Sequence, residues 1–291
     1  MAERALPDKR SVRRAFGRAA ATYDDAAVLQ REVRGRLLQH LDPIRLLPAR
    51  VLDLGCGTGE ALVGLGERYG DAERIGIDLA PAMLAQAAGR QPRWRRWLGA
   101  RVPALVCADA ERLPLAAGSV DLVFSNLALQ WCDAPKVFAE SARVLRTGGL
   151  ILFSTLGPDT LHELRTAFRA ADGGDHVSPF VDMHDLGDAL VHAGFADPVM
   201  EMERLTLEYA SVRGLVDDLR RLGAVNALPS RARGLMGPRR WKGMEAAYET
   251  LRRDGHLPST WEVVYGHAWK VPPRKLADGR QVIGFTSRPP P

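Results

Sequence analysis

Three glycines, Gly55, Gly57 and Gly59, end the stretch Val51-Leu-Asp-Leu-Gly-Cys-Gly-Thr-Gly59, and two carboxylates bracket them. An apolar run that closes in glycines and leads into a helix-compatible segment from Glu60 reads as buried strand, tight turn and helix start. Glycine lets backbone approach a bound group where a Cβ would collide. Asp78 ends a second apolar segment, Arg74-Ile-Gly-Ile-Asp78. It lies near the roughly twenty-residue offset at which an acidic side chain meets a ribose. Asp53 adds a carboxylate inside the first strand's end, suited to a ligand with a positive amine or sulfonium rather than a pyrophosphate. A P-loop would need Gly-Lys-Ser/Thr after the turn, whereas Thr58-Gly59-Glu60 stands here. A nicotinamide loop of the Gly-x-Gly-x-x-Gly kind would place its third glycine one position later.

Alternating signals position these residues. Strands are predicted at 50–54, 74–78, 104–108, 120–125 and 150–154, with helices at 60–69, from Pro81, and at 134–146. This alternation means a doubly wound, mostly parallel sheet, which binds ligands at the carboxyl ends of its strands. Before it, 8–40 reads as two helical segments. Val12, Ala15, Phe16, Ala19 and Tyr23 make the first apolar series, and Val28, Val33, Leu37, Leu38 and Leu41 the second. After it, a helix with a glycine stop spans 185–194, a strand 199–209, and a final strand Trp261–Trp269. The segments 211–223 and 241–254 look helical and would form a cap inserted between the last two strands, over the sheet's carboxyl edge. The division expected is an N-terminal helical segment (1–45) covering the bound group, a core (46–210 and 258–285), and a cap insertion (211–257). Pro289–Pro291 reads as a disordered tail.

The 291 residues carry 40 Lys and Arg against 35 Asp and Glu, a net charge of +5. That balance is too small to argue for nucleic acid and is compatible with an acidic protein partner. No apolar run is long enough to span a bilayer, and the N-terminus has no secretory apolar region. Cys56, Cys107 and Cys132 show neither metal-ligand spacing nor a disulfide framework, so a reduced, cytoplasmic setting without a metal is expected. Two basic patches stand out: Arg90, Arg93, Arg95, Arg96 and Arg101 around Trp94 and Trp97, and Arg231, Arg233, Arg239, Arg240 and Lys242. Each reads as a solvated face or as a docking face for an acidic carrier protein.

The order Asp53-Leu-Gly-x-Gly-x-Gly59, then Asp78, then Cys107-Ala-Asp-Ala-Glu-Arg-Leu-Pro-Leu115 resembles the class I S-adenosylmethionine-dependent methyltransferases across residues 51–155. The resemblance implies a Rossmann-like, seven-stranded core with S-adenosylmethionine held by Tyr23, Asp53, Gly55, Gly57, Gly59, Asp78, Met83, Asp109, Ala110 and Asn126. Asp109 would accept from the adenine amine and the Ala110 amide would donate to a ring nitrogen; the bland alternative for Asp109 is a helix N-cap. Ser125-Asn-Leu-Ala-Leu-Gln-Trp131 follows the fourth strand, opposite the methyl donor in such folds. Asn126 is present without the Pro-Pro-Tyr that stacks on a flipped base, which disfavours base methylation. Gln130 and Trp131 are the candidates for an acceptor pocket; Trp131 packing under the cap is the rival reading.

Outside the core, Phe16-Gly-Arg-Ala-Ala, Asn126–Trp131, Gly157-Pro-Asp-Thr-Leu-His-Glu-Leu164, Met183-His-Asp-Leu-Gly-Asp188, Ala193-Gly-Phe195 and Tyr265-Gly-His-Ala-Trp269 are together similar to the malonyl-acyl-carrier-protein O-methyltransferases of biotin synthesis. That resemblance implies methyl esterification of the free carboxyl of a malonyl thioester, on carrier protein or coenzyme A. An ionised carboxylate needs no general base, so no catalytic residue of that kind is expected. An arginine or amide in the cap, or Gln130, would orient the carboxylate. A mitochondrial complex I assembly factor of the same superfamily, which hydroxylates an arginine, shares features around Asp159–Leu164, Ser178–Phe180 and the final strand. A protein-modifying or assembly factor is therefore the alternative.

Overall fold

The computed structural model describes residues 6–90, 101–174, 176–228 and 237–272. Arg93, Arg95, Arg96, Trp94, Trp97, Arg231, Arg233 and the terminal prolines lie outside them.

Seven strands form one sheet: β1 (Arg50–Leu54), β2 (Glu73–Asp78), β3 (Ala104–Cys107), β4 (Val120–Asn126), β5 (Leu145–Leu156), β6 (Phe195–Tyr209) and β7 (Leu257–Lys270). Their order is β3-β2-β1-β4-β5-β7-β6. Pairings from β3 through β5 are parallel, and β7 runs antiparallel to both β5 and β6. The chain reverses its winding between β1 and β4, and that switch point opens a crevice beyond their carboxyl ends. The central strands are mostly apolar because helices cover both faces. Val51, Leu122, Phe124, Leu150 and Leu152 point to one core, and Leu52, Leu54, Val123, Ile151 and Phe153 to the other.

The helices are α1 (Lys9–Ala19), α2 (Tyr23–Ala26), α3 (Val28–Gln39), α4 (Glu60–Arg68), α5 (Pro81–Gly89), α6 (Ala134–Val144), α7 (His162–Asp172), α8 (Met183–His192), α9 (Val212–Arg221) and α10 (Pro238–Glu249). The first forty residues thus make three helices where two segments are expected. The chain turns at Thr22, whose amide donates to the Ala19 carbonyl at 2.9 Å, so Tyr23 starts a new helix. In α3 the core stripe is Leu29, Val33, Leu37 and Leu41, and Val28 is 54% exposed. A helix offers one face at i, i+4, i+8, and Leu29 fits that series where Val28 does not.

The Gly157–Leu164 motif is a lock between α7 and β7. The Thr160 hydroxyl donates to the Glu262 carbonyl and accepts from the Glu262 amide, each at 3.1 Å. The Glu262 carboxylate accepts from the Asp159 amide at 2.7 Å, and Glu163 caps the Thr260 amide at 3.1 Å. A Cβ on Gly157 would fall 2.5 Å from the Glu262 carboxyl carbon. Helix α7, absent from the sequence reading, is set by this lock. The motif's role here is to hold α7 against β7.

Candidate functional site

The carboxyl ends of β1, β2, β3 and β4 meet in a cavity of about 700 Å³, counting its mouth. Nine of the twelve predicted site residues line it: Tyr23, Gly55, Gly57, Asp78, Met83, Asp109, Ala110, Asn126 and Trp131. They come from five separate stretches of chain, brought together by the strand order.

Asp78 is the best-held group on the floor. Its two carboxylate oxygens accept from the Gly57 amide at 3.0 Å and the Ala80 amide at 2.8 Å. Burial raises its pKa, and those backbone bonds oppose the rise. A carboxylate has about four acceptor sites, so the pair of amides leaves capacity for two hydroxyls. Gly57 has φ +52°, and a Cβ there would meet nothing within 4 Å. The loop therefore offers bare backbone to the cavity. Gly55 instead marks a close approach, since its Cβ would fall 2.3 Å from the Ala128 Cβ.

A second, smaller space of about 390 Å³ adjoins the first and shares Tyr23, Gly55, Gly57 and Asn126 with it. Asp53 lies here, 1% exposed, and its Oδ2 has no hydrogen-bond partner. Burial, reinforced by the charge of Asp78 and opposed by Arg34, pushes its pKa up to about 8. An unpartnered buried carboxylate is costly, and a cationic ligand group would satisfy it. That orphaned oxygen and the bare Gly57 loop fit a cationic nucleoside-like group lying across both spaces.

Asn126 forms part of the wall. Its Nδ2 donates to the Gln30 carbonyl at 3.1 Å and its Oδ1 accepts from the Ser154 hydroxyl at 2.9 Å. The next residue, Leu127, has φ +49°, an uncommon conformation for a bulky side chain, and turns the chain into the cavity rim. Gln130 is turned inward. Its Nε2 donates to the Leu127 carbonyl at 2.7 Å and its Oε1 accepts from the Thr155 hydroxyl at 3.3 Å. The amide expected to orient a carboxylate is thus engaged at both ends, outside both spaces. Gly59 is also outside them; its φ of +81° and a Cβ site 2.8 Å from the Ala87 Cβ make it the packing point of α4 on α5.

Helices α1 and α2 form the roof. Val12, Ala15 and Ala19 are buried, and Ala20 packs on Ala80 and Met83 beside Phe16 and Tyr23. Phe16 meets Trp131 edge to face, with centroids 5.3 Å apart. At one end of the roof the Lys9 ammonium lies 2.9 Å from Asp109 Oδ1 and 2.7 Å from Glu111 Oε1. At the other, Asp24 accepts from the Thr58 hydroxyl at 2.6 Å and pairs with Arg90. Burial, with Asp78, Asp24 and Glu60 nearby, raises the Tyr23 pKa, so its phenol stays neutral. Lys9, Arg13 and Phe16 all line the cavity. The sequence reading missed Lys9 and Arg13, although their i, i+4, i+7 spacing with Phe16 puts all three on one helix face.

The insertion between β6 and β7 rests on this roof and contributes none of the described lining residues. The Thr22 hydroxyl donates to the Arg221 carbonyl at 3.3 Å, and Gly223 lies against Ala15. Arg239, Arg240 and Lys242 are exposed on α10, which packs against α7. Among the described residues no cluster of three metal-ligating side chains occurs, and no helix is long and apolar enough to cross a membrane.

A family pattern described as a methyltransferase domain matches residues 52–153. The malonyl-[acyl-carrier protein] O-methyltransferase of Laribacter hongkongensis is 56% identical over the full length of both chains. That of Gallionella capsiferriformans is 54% identical over 95% of this chain and 96% of its own. The chain belongs to this methyltransferase family. The fold agrees: the YcgJ protein of Bacillus subtilis, 18% identical, superposes with a TM-score of 0.57 over 83% of this chain and 99% of its own. Family membership makes S-adenosylmethionine the group against which the cavity is to be read.

Proposed function

We propose that this chain is an S-adenosylmethionine-dependent carboxyl O-methyltransferase, which esterifies the free carboxyl of malonyl carried as a thioester on an acyl carrier protein. The ester lets fatty-acid enzymes extend the chain toward the pimeloyl unit of biotin. Likeness to relatives of that name along the whole chain carries this reading. Three cysteines without a disulfide are compatible with a cytoplasmic setting.

The residues divide the work by chemistry. Asp78 would take the ribose hydroxyls. Asp109 Oδ1 is used by Lys9 and by the Glu111 amide, which leaves Oδ2 for the adenine amine, with the Ala110 amide beside it. Asp53 would face the cationic end, and Gly57 would allow close backbone approach. When bound, S-adenosylmethionine supplies a methyl group made electrophilic by a positive sulfur. The malonyl carboxylate arrives ionised and needs no base. Arg13 is the cavity cation that forms no ion pair among the described residues, so it is the group suited to hold that carboxylate. Phe16 and Trp131 wall off water, which keeps the opposed charges poorly solvated until they cancel.

The test is incubation with methyl-labelled donor and malonyl-carrier protein. A carrier heavier by one methyl, with label lost in mild base, is the expected product. An unlabelled carrier, or a hydroxylated arginine on a partner protein, would overturn the reading.

A further inference from the structure

The net charge of this protein resides on one helix. Lys and Arg exceed Asp and Glu by 40 to 35 over the whole chain. Helix α1 holds Lys9, Arg10, Arg13, Arg14 and Arg18 and no acid, so everything else balances to zero. Lys9 is turned inward and neutralised by Asp109 and Glu111. The four arginines are exposed. Arg10, Arg14 and Arg18 recur every four residues, a single stripe opposite the buried Val12, Ala15 and Ala19. Arg10, Arg13 and Arg18 form no ion pair with a described residue, and Arg14 reaches the Ser11 hydroxyl at 3.5 Å, with Asp8 nearby. Several arginines elsewhere are paired: Arg34 with Glu60, Arg50 with Glu73, Arg143 with Glu140, Arg252 with Glu249.

The position matters as much as the charge. Arg13 is both exposed and part of the cavity lining, so the stripe of Arg10, Arg14 and Arg18 lies on the same helix that edges the cavity. The other described basic patch, Arg239, Arg240 and Lys242, contributes nothing to that lining.

We infer that the outer face of α1 is the docking surface for the acidic carrier protein, which delivers its thioester-linked malonyl past Arg13. The inference rests on the function proposed above and adds where the carrier sits. A stripe of like charge repels itself unless a partner covers it, and an acidic partner would be steered to it at low salt. The same helix roofs the cavity, so docking would press the roof shut over the reacting groups.

The experiment compares malonyl-carrier protein with a malonyl thioester of N-acetylcysteamine, which has no carrier and no phosphate. The variant R10E/R14E/R18E leaves every cavity-lining residue in place. Its kcat/KM on the carrier substrate should fall at least thirty-fold at low salt, while that on the small thioester stays within three-fold. Added salt should slow the wild type on the carrier and leave the variant nearly unchanged. Because three glutamates could disturb the roof, R10Q/R14Q/R18Q serves as a second variant and should lose about five-fold on the carrier alone. Unchanged carrier kinetics in the glutamine variant, or equal losses on both substrates, would overturn the inference. So would a carrier-specific loss confined to R239E/R240E/K242E. A wild type that methylates neither substrate would instead overturn the proposed function.

Discussion

Asp78, on the floor of the cavity, accepts from two backbone amides, whereas Lys9, on its roof, reaches Asp109 and Glu111 with a side chain 28% exposed. The floor belongs to the sheet; moving Asp78 means breaking the turn that holds it. The roof is a pair of short helices, α1 and α2, attached through small buried residues of α1, Val12, Ala15 and Ala19, and by one latch on each helix, at Lys9 and at Asp24. Ion pairs of this exposure contribute about 0–1 kcal/mol each. One side of the cavity is therefore built into the sheet by backbone hydrogen bonds, while the other is held by side-chain contacts of modest strength.

Three changes probe that contrast. Asp78→Ala removes the acceptor that holds the turn and that the proposed function assigns to the ribose hydroxyls. Losing a charged acceptor costs about 1.5–3 kcal/mol per bond, so calorimetry should show S-adenosylmethionine affinity falling about 100-fold, with a lower Tm. Normal affinity would remove Asp78 from the site.

Asp53→Asn probes the buried charge behind the loop. The folded protein keeps the Asp53 proton up to about pH 8, while the unfolded chain releases it near the ordinary aspartate value of 3.8. The native state thus binds the extra proton between those limits, and this residue's contribution to stability falls as pH rises through them. The asparagine variant should match the wild type near about pH 4 and melt above it near about pH 8. A cationic ligand favours the carboxylate, so wild-type affinity should rise several-fold across the same interval, while the variant binds more weakly and with a flat profile. Parallel profiles would show that Asp53 does not titrate with binding.

Lys9→Met tests the roof and should have the smallest effect. The Tm should move by less than about 2 °C, as for a partly exposed pair. Cofactor release, followed by stopped flow, should quicken about two- to five-fold. A large loss of Tm would mean the roof is as firmly built as the floor.

The floor was readable in the sequence because its signals are local. Strand 50–54 has the predicted boundaries, and Gly55, Gly57 and Asp78 line the cavity, since a strand that ends in a turn carries its residues to the sheet edge wherever the sheet lies. The roof was read in part. Phe16 and Tyr23 belong to the apolar series, whereas nothing in that series marks Lys9 and Arg13, which line the cavity. Gln130 and Gly59 lie outside both spaces for a reason no local pattern carries: Thr155 and Ala87, distant in sequence, bond to or pack against them.

Residue order alone settled the alternating α/β architecture, the glycine turn and the carboxylates that follow it, because hydrophobic period and turn chemistry act over a few residues. Packing across the sheet settled which of those groups share one cavity, that Gln130 faces inward, that the inserted helices rest on the roof, and that four arginines stand uncovered beside the opening. Those outcomes depend on contacts between segments one to two hundred residues apart, such as Lys9 with Asp109 and Thr22 with Arg221. No local pattern encodes such contacts, since burial and ion pairing are properties of the neighbours that folding supplies.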